Sequence, residues 1–489
     1  MTVALDPNAV AAGLGLSLTY EDRRGTASLF LPQQVAVIGQ GNTAVTYTTA
    51  PWRVTSLREC GSRYGIGSPI YLAVKMLMPP NGDGVGAIPV TVYPLLDHAS
   101  GTVSAGTITL AGTATAATSI RFRIGGILTE PFTIPVGAVN ATTSHAAAKA
   151  AIEATLDVPA VITGTTSLTV TSRWKGASAN GIKIEVVAEN LNGVTVALVQ
   201  PTGGTNNPDV TVALNQIVTR WETMLVNLMN HDDATTLGAI FTWGEGRMQP
   251  GIMKPAISFV GCTVASSTTA VAVSDARKTD YVNSQINDPG SPDLPFVVAA
   301  RAVARIAAVA NSNPPTGYTG QKLTQTTPGP ESTQWDFNTR NAVKLAGGST
   351  VNLVDGVIEL SDVVTMYHPT GETPAAYAEV VTIVKLQNAI YNYRLPFLSP
   401  EWAAAPLIPD GQVTRNPNAR TPSAAKGEAD AVTERLALDA ILSDPKTIKK
   451  GTTARIAGPN RVDVTVPLYV SGNTFQKAIE LSFAFYFGS

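Results

Sequence analysis

One segment of this 489-residue chain has the spacing of a phosphate-binding loop. Val35-Ala36-Val37-Ile38 is an apolar run, and Gly39-Gln40-Gly41-Asn42-Thr43-Ala44 follows it with the pattern G-x-G-x-x-A. In a dinucleotide fold such glycines let the backbone approach a pyrophosphate, and a helix starting there points its N-terminus at the phosphate charge. Here the continuation is Val45-Thr46-Tyr47-Thr48-Thr49-Ala50-Pro51. β-Branched residues are stiff in a helix, and proline cannot continue one. The segment therefore reads as a strand ending in a glycine turn. A nucleotide-binding enzyme using the Gly39-Gly41-Ala44 loop is the alternative.

Other reactive residues form no constellation. Gly317 to Lys322 lacks the gap and the Ser/Thr of a phosphate loop. His98, His145, His231 and His368 stand apart. Only His231-Asp232-Asp233 has an acidic neighbourhood, read as a solvated helix end rather than a metal site. There is no G-x-S-x-G elbow and no H-E-x-x-H pair. Cys60 and Cys262 are far apart and read as buried free thiols. No catalytic, cofactor-binding or metal-ligating residue and no cofactor is expected, although carboxylates distant in sequence can still meet in a fold.

Charge narrows the partners. Lys plus Arg is 34 and Asp plus Glu is 36, with no basic stripe, which argues against nucleic acid. Charged residues are only 14%, against about 25% in an average soluble domain. Much of the surface is then small and polar, or covered by other subunits. The apolar stretch Ala9 to Leu18 has no preceding Lys or Arg and is broken by Gly13 and Gly15, a poor signal peptide. The helical run Pro295 to Ala310 contains Arg301 and Arg305 and is too short to span a bilayer. No membrane insertion is expected, and the chain reads as cytosolic when made.

The elements that would position any site alternate in type. A strand region over Ala27 to Ile38, a helix over Pro69 to Met78 and a strand over Ile88 to Tyr93 come first. From about 99 to 205 the chain is rich in Thr, Gly, Ala and Val, with short alternating strands and one helix, Ser144 to Leu156, capped by Ser144. Pro201 to Pro208 reads as its exit linker. From Val210, the residues Leu214, Ile217, Val218, Trp221, Leu225, Leu228 and Met229 trace one helical face. Ala239 to Trp243, Ala256 to Val260 and Pro295 to Val298 read as short apolar strands. Residues 311–340 show little periodicity. A hairpin turns at Asp355-Gly356, and helices over about 374–393 and 423–442 follow. Strands alternating with helices point to an α/β layer architecture.

The chain ends on a strict alternation. Ile479, Leu481, Phe483, Phe485 and Phe487 alternate with Glu480, Ser482, Ala484 and Tyr486. That is a strand with one apolar face and no successor to pair with. It is expected to form an inter-subunit strand.

Several segments carry a family resemblance. Arg63-Tyr64-Gly65-Ile66-Gly67-Ser68-Pro69, with the helix, Gly-rich break and strand after it, resembles the N-terminal part of contractile-phage tail sheath subunits. Ile358 to Tyr367 is similar to their strand ending in Val-Thr-x-Tyr. Gly458-Pro459-Asn460-Arg461-Val462-Asp463-Val464 is similar to the Pro-Asn-Arg-Leu-Asp-Val segment of Mu-like phage sheaths, which makes Pro459, Asn460, Arg461 and Asp463 the family-like motif. The 99–205 region resembles the domain inserted in those proteins.

The resemblance implies an α/β (α+β) multidomain fold: a mixed-sheet α/β sheath core with an inserted β-rich domain and strand-donating arms. The expected divisions are an N-terminal arm 1–25, core 26–98, inserted outer domain 99–205, core 206–350, inner domain 351–474 and strand arm 475–489. It also implies stacked hexameric rings around a tail tube, which contract to drive the tube through the host envelope. Implied partners are neighbouring sheath subunits, the tail tube protein, and baseplate and tail terminator proteins. The implied location is the virion tail, with assembly in the host cytoplasm. A tail adhesin, suggested by the β-rich 99–205 region, is a further alternative, but the chain lacks long β repeats.

Overall fold

The structure, a computed structural model, describes residues 29–80, 82–372 and 375–475. They divide into two compact units. The larger is Phe30–Leu398 with residues 470–475, and the smaller is Ser399–Tyr469.

The larger unit is built on one eight-stranded sheet. Its strands are β1 (Val35–Gln40), β2 (Trp52–Arg53), β3 (Val90–Leu95), β4 (Met224–Asn227), β5 (Ile257–Cys262), β6 (Asn283–Asn287), β7 (Gly348–Val354) and β8 (Val357–Asp362). Their order is β8-β7-β6-β5-β4-β1-β3-β2. The six inner strands run parallel, and β2 and β8 close the edges antiparallel. Every residue of β1, β3, β4, β5 and β6 is buried. A parallel sheet is covered on both faces, so its strands read as continuous runs rather than alternations.

That explains two departures from the sequence reading. The apolar residues from Val210 to Met229 do not form one helix. Thr211–Leu214 is a single turn, and Met224–Asn227 is a buried strand. Short apolar runs satisfy either period, and the parallel sheet decides. Ala239 to Trp243 lies inside a helix, Ala234–Met248, and Pro295 to Val298 opens the core helix Pro295–Ser312. The 355–356 turn, by contrast, does join the β7–β8 hairpin.

The helices Pro69–Leu77 and Pro295–Ser312 pack on each other and on the middle of the sheet. Helix Pro295–Ser312 is long and apolar enough to cross a membrane by length and composition, yet it is a core helix, 67% buried inside the protein. Arg301 lies fully buried on it. Its guanidinium donates to Asp83 Oδ2 at 2.7 Å and to Asp83 O at 2.8 Å, and Arg305 pairs with the same carboxylate. The buried Arg301 and the half-buried Arg305 thus pin the glycine-rich 82–86 loop. Burial works against the Asp83 charge, but the Thr324 hydroxyl and both guanidiniums hold its carboxyl below the usual range.

The inserted region follows β3 as two antiparallel sheets. One orders Val194–Thr202, Val103–Ala114, Leu168–Lys175 and Ala160–Thr163, and the other centres on Thr118–Ile124. Buried and half-buried residues alternate along Leu168–Lys175, as one-sided burial requires. Its helix is Ala146–Ala154, preceded by a π-turn that Asn140 caps, so Ser144 is not the cap. Trp174 is fully buried and meets Phe296 edge-on at 6.0 Å, joining this region's core to the central helix.

In the smaller unit, helices Pro422–Leu438 and Pro445–Gly451 pack together. The first also covers a hairpin of Thr453–Gly458 and Arg461–Thr465.

Replacing Asp83 by Ala strands the Arg301 charge in the core. The expected loss is about 2 kcal/mol, below the usual cost of breaking a fully buried pair because Asp83 is partly exposed. Urea denaturation of the variant against the wild type measures it.

Candidate functional site

An open α/β sheet binds ligands beyond the carboxyl ends of its strands, where the strand order reverses. Here the order reverses at β1, with β3 on one side and β4 on the other. The loop after β1 is the Gly39–Ala44 segment, so the glycine motif does stand at the position where a nucleotide would bind. No helix begins there. Residues 41–51 are turns and irregular chain, and the next helix is Leu57–Tyr64. A side chain on Gly39 would run into Leu228, and one on Gly41 into the Tyr47 ring. Gly41 N donates to Tyr47 Oη at 2.8 Å, and Tyr47 Oη donates to Leu95 O at 2.9 Å. The glycines serve close packing, and Gly41's amide is already bonded within the chain.

The inserted region covers the β1 side of the crevice, while beyond the end of β4 a cavity of about 450 Å³ stays open, lined by His98, Asn207, Asn230, Asp232 and Asp233 among others. Gln40 is fully buried, and its Nε2 donates to Asp97 Oδ1 at 2.5 Å and to Lys175 O at 2.7 Å. Thr43 Oγ1 donates to Asp97 Oδ2 at 2.6 Å, and Thr43 N donates to Arg173 O at 2.8 Å. Asp97, where the chain leaves the sheet, therefore ties the β1 loop to the inserted strand Leu168–Lys175.

A second tie lies at the ends of β5 and β6. Lys183 Nζ, from the inserted region, donates to Thr263 O at 3.2 Å and to Ser291 O at 2.5 Å. Asp288 and Asp293 sit beside it, both buried. Asp293 Oδ2 accepts from Thr327 N at 2.7 Å, whereas neither carboxylate oxygen of Asp288 has a hydrogen-bond partner. Burial pushes Asp288 up to about 7 and Asp293 up to about 6, the nearby Asp293 adding to the first. Burial also lowers Lys183. This is a seat for one domain on another. Among the described residues no group of three His, Cys, Asp or Glu side chains stands ready for a metal.

The remaining sequence candidates are explained locally. Cys60 and Cys262 are buried and free, and burial pushes both thiols up to about 12. His231 is buried rather than solvated, and its Asp233 neighbour caps the start of helix Ala234–Met248 instead of ending one. Pro459 and Asn460 are the turn between the hairpin strands of the smaller unit. Arg461 Nε donates to Asp463 Oδ1 at 2.6 Å, and Arg455 lies 3.8 Å from the same carboxylate. Both arginines are exposed, so these pairs add little stability. Among the described residues no further strand pairs with either outer edge of this hairpin. Ile479, Leu481, Phe483, Phe485 and Phe487, and the 1–25 arm, lie outside the described residues.

Asp97, Lys183, Asp288 and Asp293 were not anticipated. Their only sequence signal is position, at or between predicted elements.

The chain is 25% identical over 358 residues to the Mu-like prophage FluMu tail sheath protein of Haemophilus influenzae, a match covering 70% of each. Its fold is similar to that of a sheath tail protein from Listeria innocua, with a TM-score of 0.50 and 11% identity over 92% of this chain and 94% of that one. A sheath complex of an extracellular contractile injection system in the contracted state aligns with 97% of this chain and 98% of that one, with a TM-score of 0.48 and 9% identity. No family model matches the chain. The resemblance to tail sheath subunits and the mixed α/β class read from sequence are both borne out.

Asp288 binds its proton more tightly folded than unfolded, so ionising it costs stability as pH rises from about 4 to about 7. Asp288→Asn removes that cost. The variant is expected to match the wild type at or just below pH 4 and to exceed it at pH 8 by on the order of 2 kcal/mol. Thermal melts at the two pH values read this, and equal pH slopes would contradict it.

Proposed function

We propose that this chain is the structural subunit of a contractile tail sheath, a sleeve of stacked rings that shortens to drive an inner tube through a cell envelope. The observation that carries the reading is the homologue among Mu-like prophage tail sheath proteins, matched over 70% of both chains. The glycine loop supports a non-enzymatic role, since it is spent on internal packing. The partners are neighbouring copies of the chain, the tail tube protein, and baseplate and tail terminator proteins. The chain works in the virion tail after assembly in the host cytoplasm.

Copies are joined by strand addition. The tail with Ile479, Leu481, Phe483, Phe485 and Phe487 is the donor, and the acceptor is the hairpin Thr453–Thr465 of a neighbouring copy. The hairpin strands carry mostly exposed and half-buried residues, and a two-stranded sheet is marginal by itself. An added strand contributes a main-chain ladder and buries apolar side chains worth on the order of 1.5–3 kcal/mol each. Ordering the tail costs about 1–2 kcal/mol per residue, so each joint is modest and the repeat along the sleeve makes it strong.

Electron microscopy of the purified chain tests the role. Sleeves of stacked rings support it, trimeric fibres would favour an adhesin, and discrete particles whose melting temperature rises with a dinucleotide would favour the enzyme. Removing residues 476–489 should leave a soluble subunit that forms no sleeves. Ordinary sleeves from the truncated chain would sink the strand-addition joint. Val464→Pro, which deletes a hairpin amide and stiffens that strand, is expected to lower sleeve yield at least tenfold.

A further inference from the structure

Helix Val380–Phe397 carries a buried polar stripe that packing alone does not need. Lys385, Gln387, Asn388 and Asn392 are all buried on it. A buried ammonium is costly unless it is compensated, yet among the described residues Lys385 forms no ion pair with a carboxylate, and burial lowers it to about 8. Its partners are two oxygens from a segment more than eighty residues away. Lys385 Nζ donates to Ser471 O at 2.7 Å and to Asn473 Oδ1 at 2.6 Å. Asn473 Nδ2 donates in turn to Pro315 O at 2.8 Å, and Phe475 packs beside Gly317 with Lys344 Nζ 5.3 Å from its ring centre. Residues 471–475 are thus held on the larger unit immediately before the tail.

One turn further along the same face, Asn388 Oδ1 accepts from Leu31 N at 2.8 Å in a buried bond. Positions three apart on a helix are neighbours. Leu31 stands just after the N-terminal residues 1–28, as Phe475 stands just before residues 476–489. Between the two anchors, Gln387 Nε2 donates to Thr223 O and Pro255 O, which fixes the helix to the chain entering β4 and β5.

We infer that helix Val380–Phe397 is a common anchor for both chain ends, with Lys385 holding the root of the C-terminal tail and Asn388 holding the root of the N-terminal arm. A pull on either end enters this one helix, and through Gln387 the central sheet, without crossing the hairpin or helices of the smaller unit. Lys385 and Asn388 are positioning residues. The inference takes its mechanical meaning from the sheath role, but the anchor exists in the single subunit and is tested there.

Hydrogen exchange on the unassembled chain at pH 7 is the experiment. Lys385→Met keeps the side-chain length and removes the donors. Exchange at amides 471–475 should accelerate at least tenfold, with β4 and β5 unchanged. Asn388→Leu should do the same for the Leu31 amide. If Lys385→Met does not fold, Lys385→Gln keeps a polar group too short to reach both acceptors, and the same acceleration is expected. Wild-type exchange at 471–475 in the folded lysine variant, or at Leu31 in the asparagine variant, would overturn the anchor. In sleeves, Lys385→Met should lower the guanidinium concentration that dissociates the assembly while leaving subunit unfolding unchanged, and no difference would count against load passing through the helix. Failure of the wild-type chain to form sleeves would sink the sheath role and leave the exchange result standing.

Discussion

The five central strands of the sheet are buried on every residue, so each exposed face and end of the sheet has to be covered by something else in the chain. Helices Pro69–Leu77 and Pro295–Ser312 cover the middle of the sheet. The carboxyl ends, which α/β enzymes leave open for a ligand, are partly covered by the inserted region, through Asp97 at β1 and Lys183 at β5 and β6. The same architecture that makes nucleotide sites elsewhere is used here to seat a domain.

Cations recur among the ties between distant segments. The buried Arg301 holds the 82–86 loop, the half-buried Lys183 holds the inserted region at the ends of β5 and β6, and the buried Lys385 holds residues 471–473. Only Arg301 has a direct carboxylate partner, and the two lysines are satisfied by neutral oxygens. Moving such a segment away leaves a charge in a poorly polar surrounding without its hydrogen bonds. Each tie is therefore close to all-or-none, which gives a strongly interlocked larger unit from a chain with few charges.

Legibility followed hydrophobic contrast. The 99–205 strands, the helix at Pro69 and the hairpin at 355–356 have clear periods or turn residues, and they lie close to where they were read. Strand β6 was missed altogether. Asn283-Ser284-Gln285-Ile286-Asn287 shows no apolar run, yet it is wholly buried in the sheet. Most of its donors are satisfied across the fold, Asn283 on Leu237 O, Ser284 on Val364 O and Asn287 on Ser349 O, while Asn283 Oδ1 and Gln285 Oε1 stay buried without a partner. The helix read through Val210–Met229 failed for the opposite reason: its residues were apolar enough for either period. The glycine motif was correctly read as a turn, because Val45 to Pro51 cannot make the helix a pyrophosphate needs.

Local chemistry alone determined that this chain has alternating strands and helices with a β-rich insertion, that its glycine loop starts no helix, and that a hairpin turns at Asp355-Gly356. Those are properties of neighbouring residues, set by period, branching and ring closure. Only the tertiary structure decided that a polar pentapeptide is a core strand, that Asp97 and Lys183 tie the inserted region to the strand ends, and that Lys385 and Asn388 receive the two chain roots. Each of these joins residues tens to hundreds of positions apart. The free energy of burying a polar group depends on which partner the fold brings to it, and that partner is not written in the neighbouring sequence.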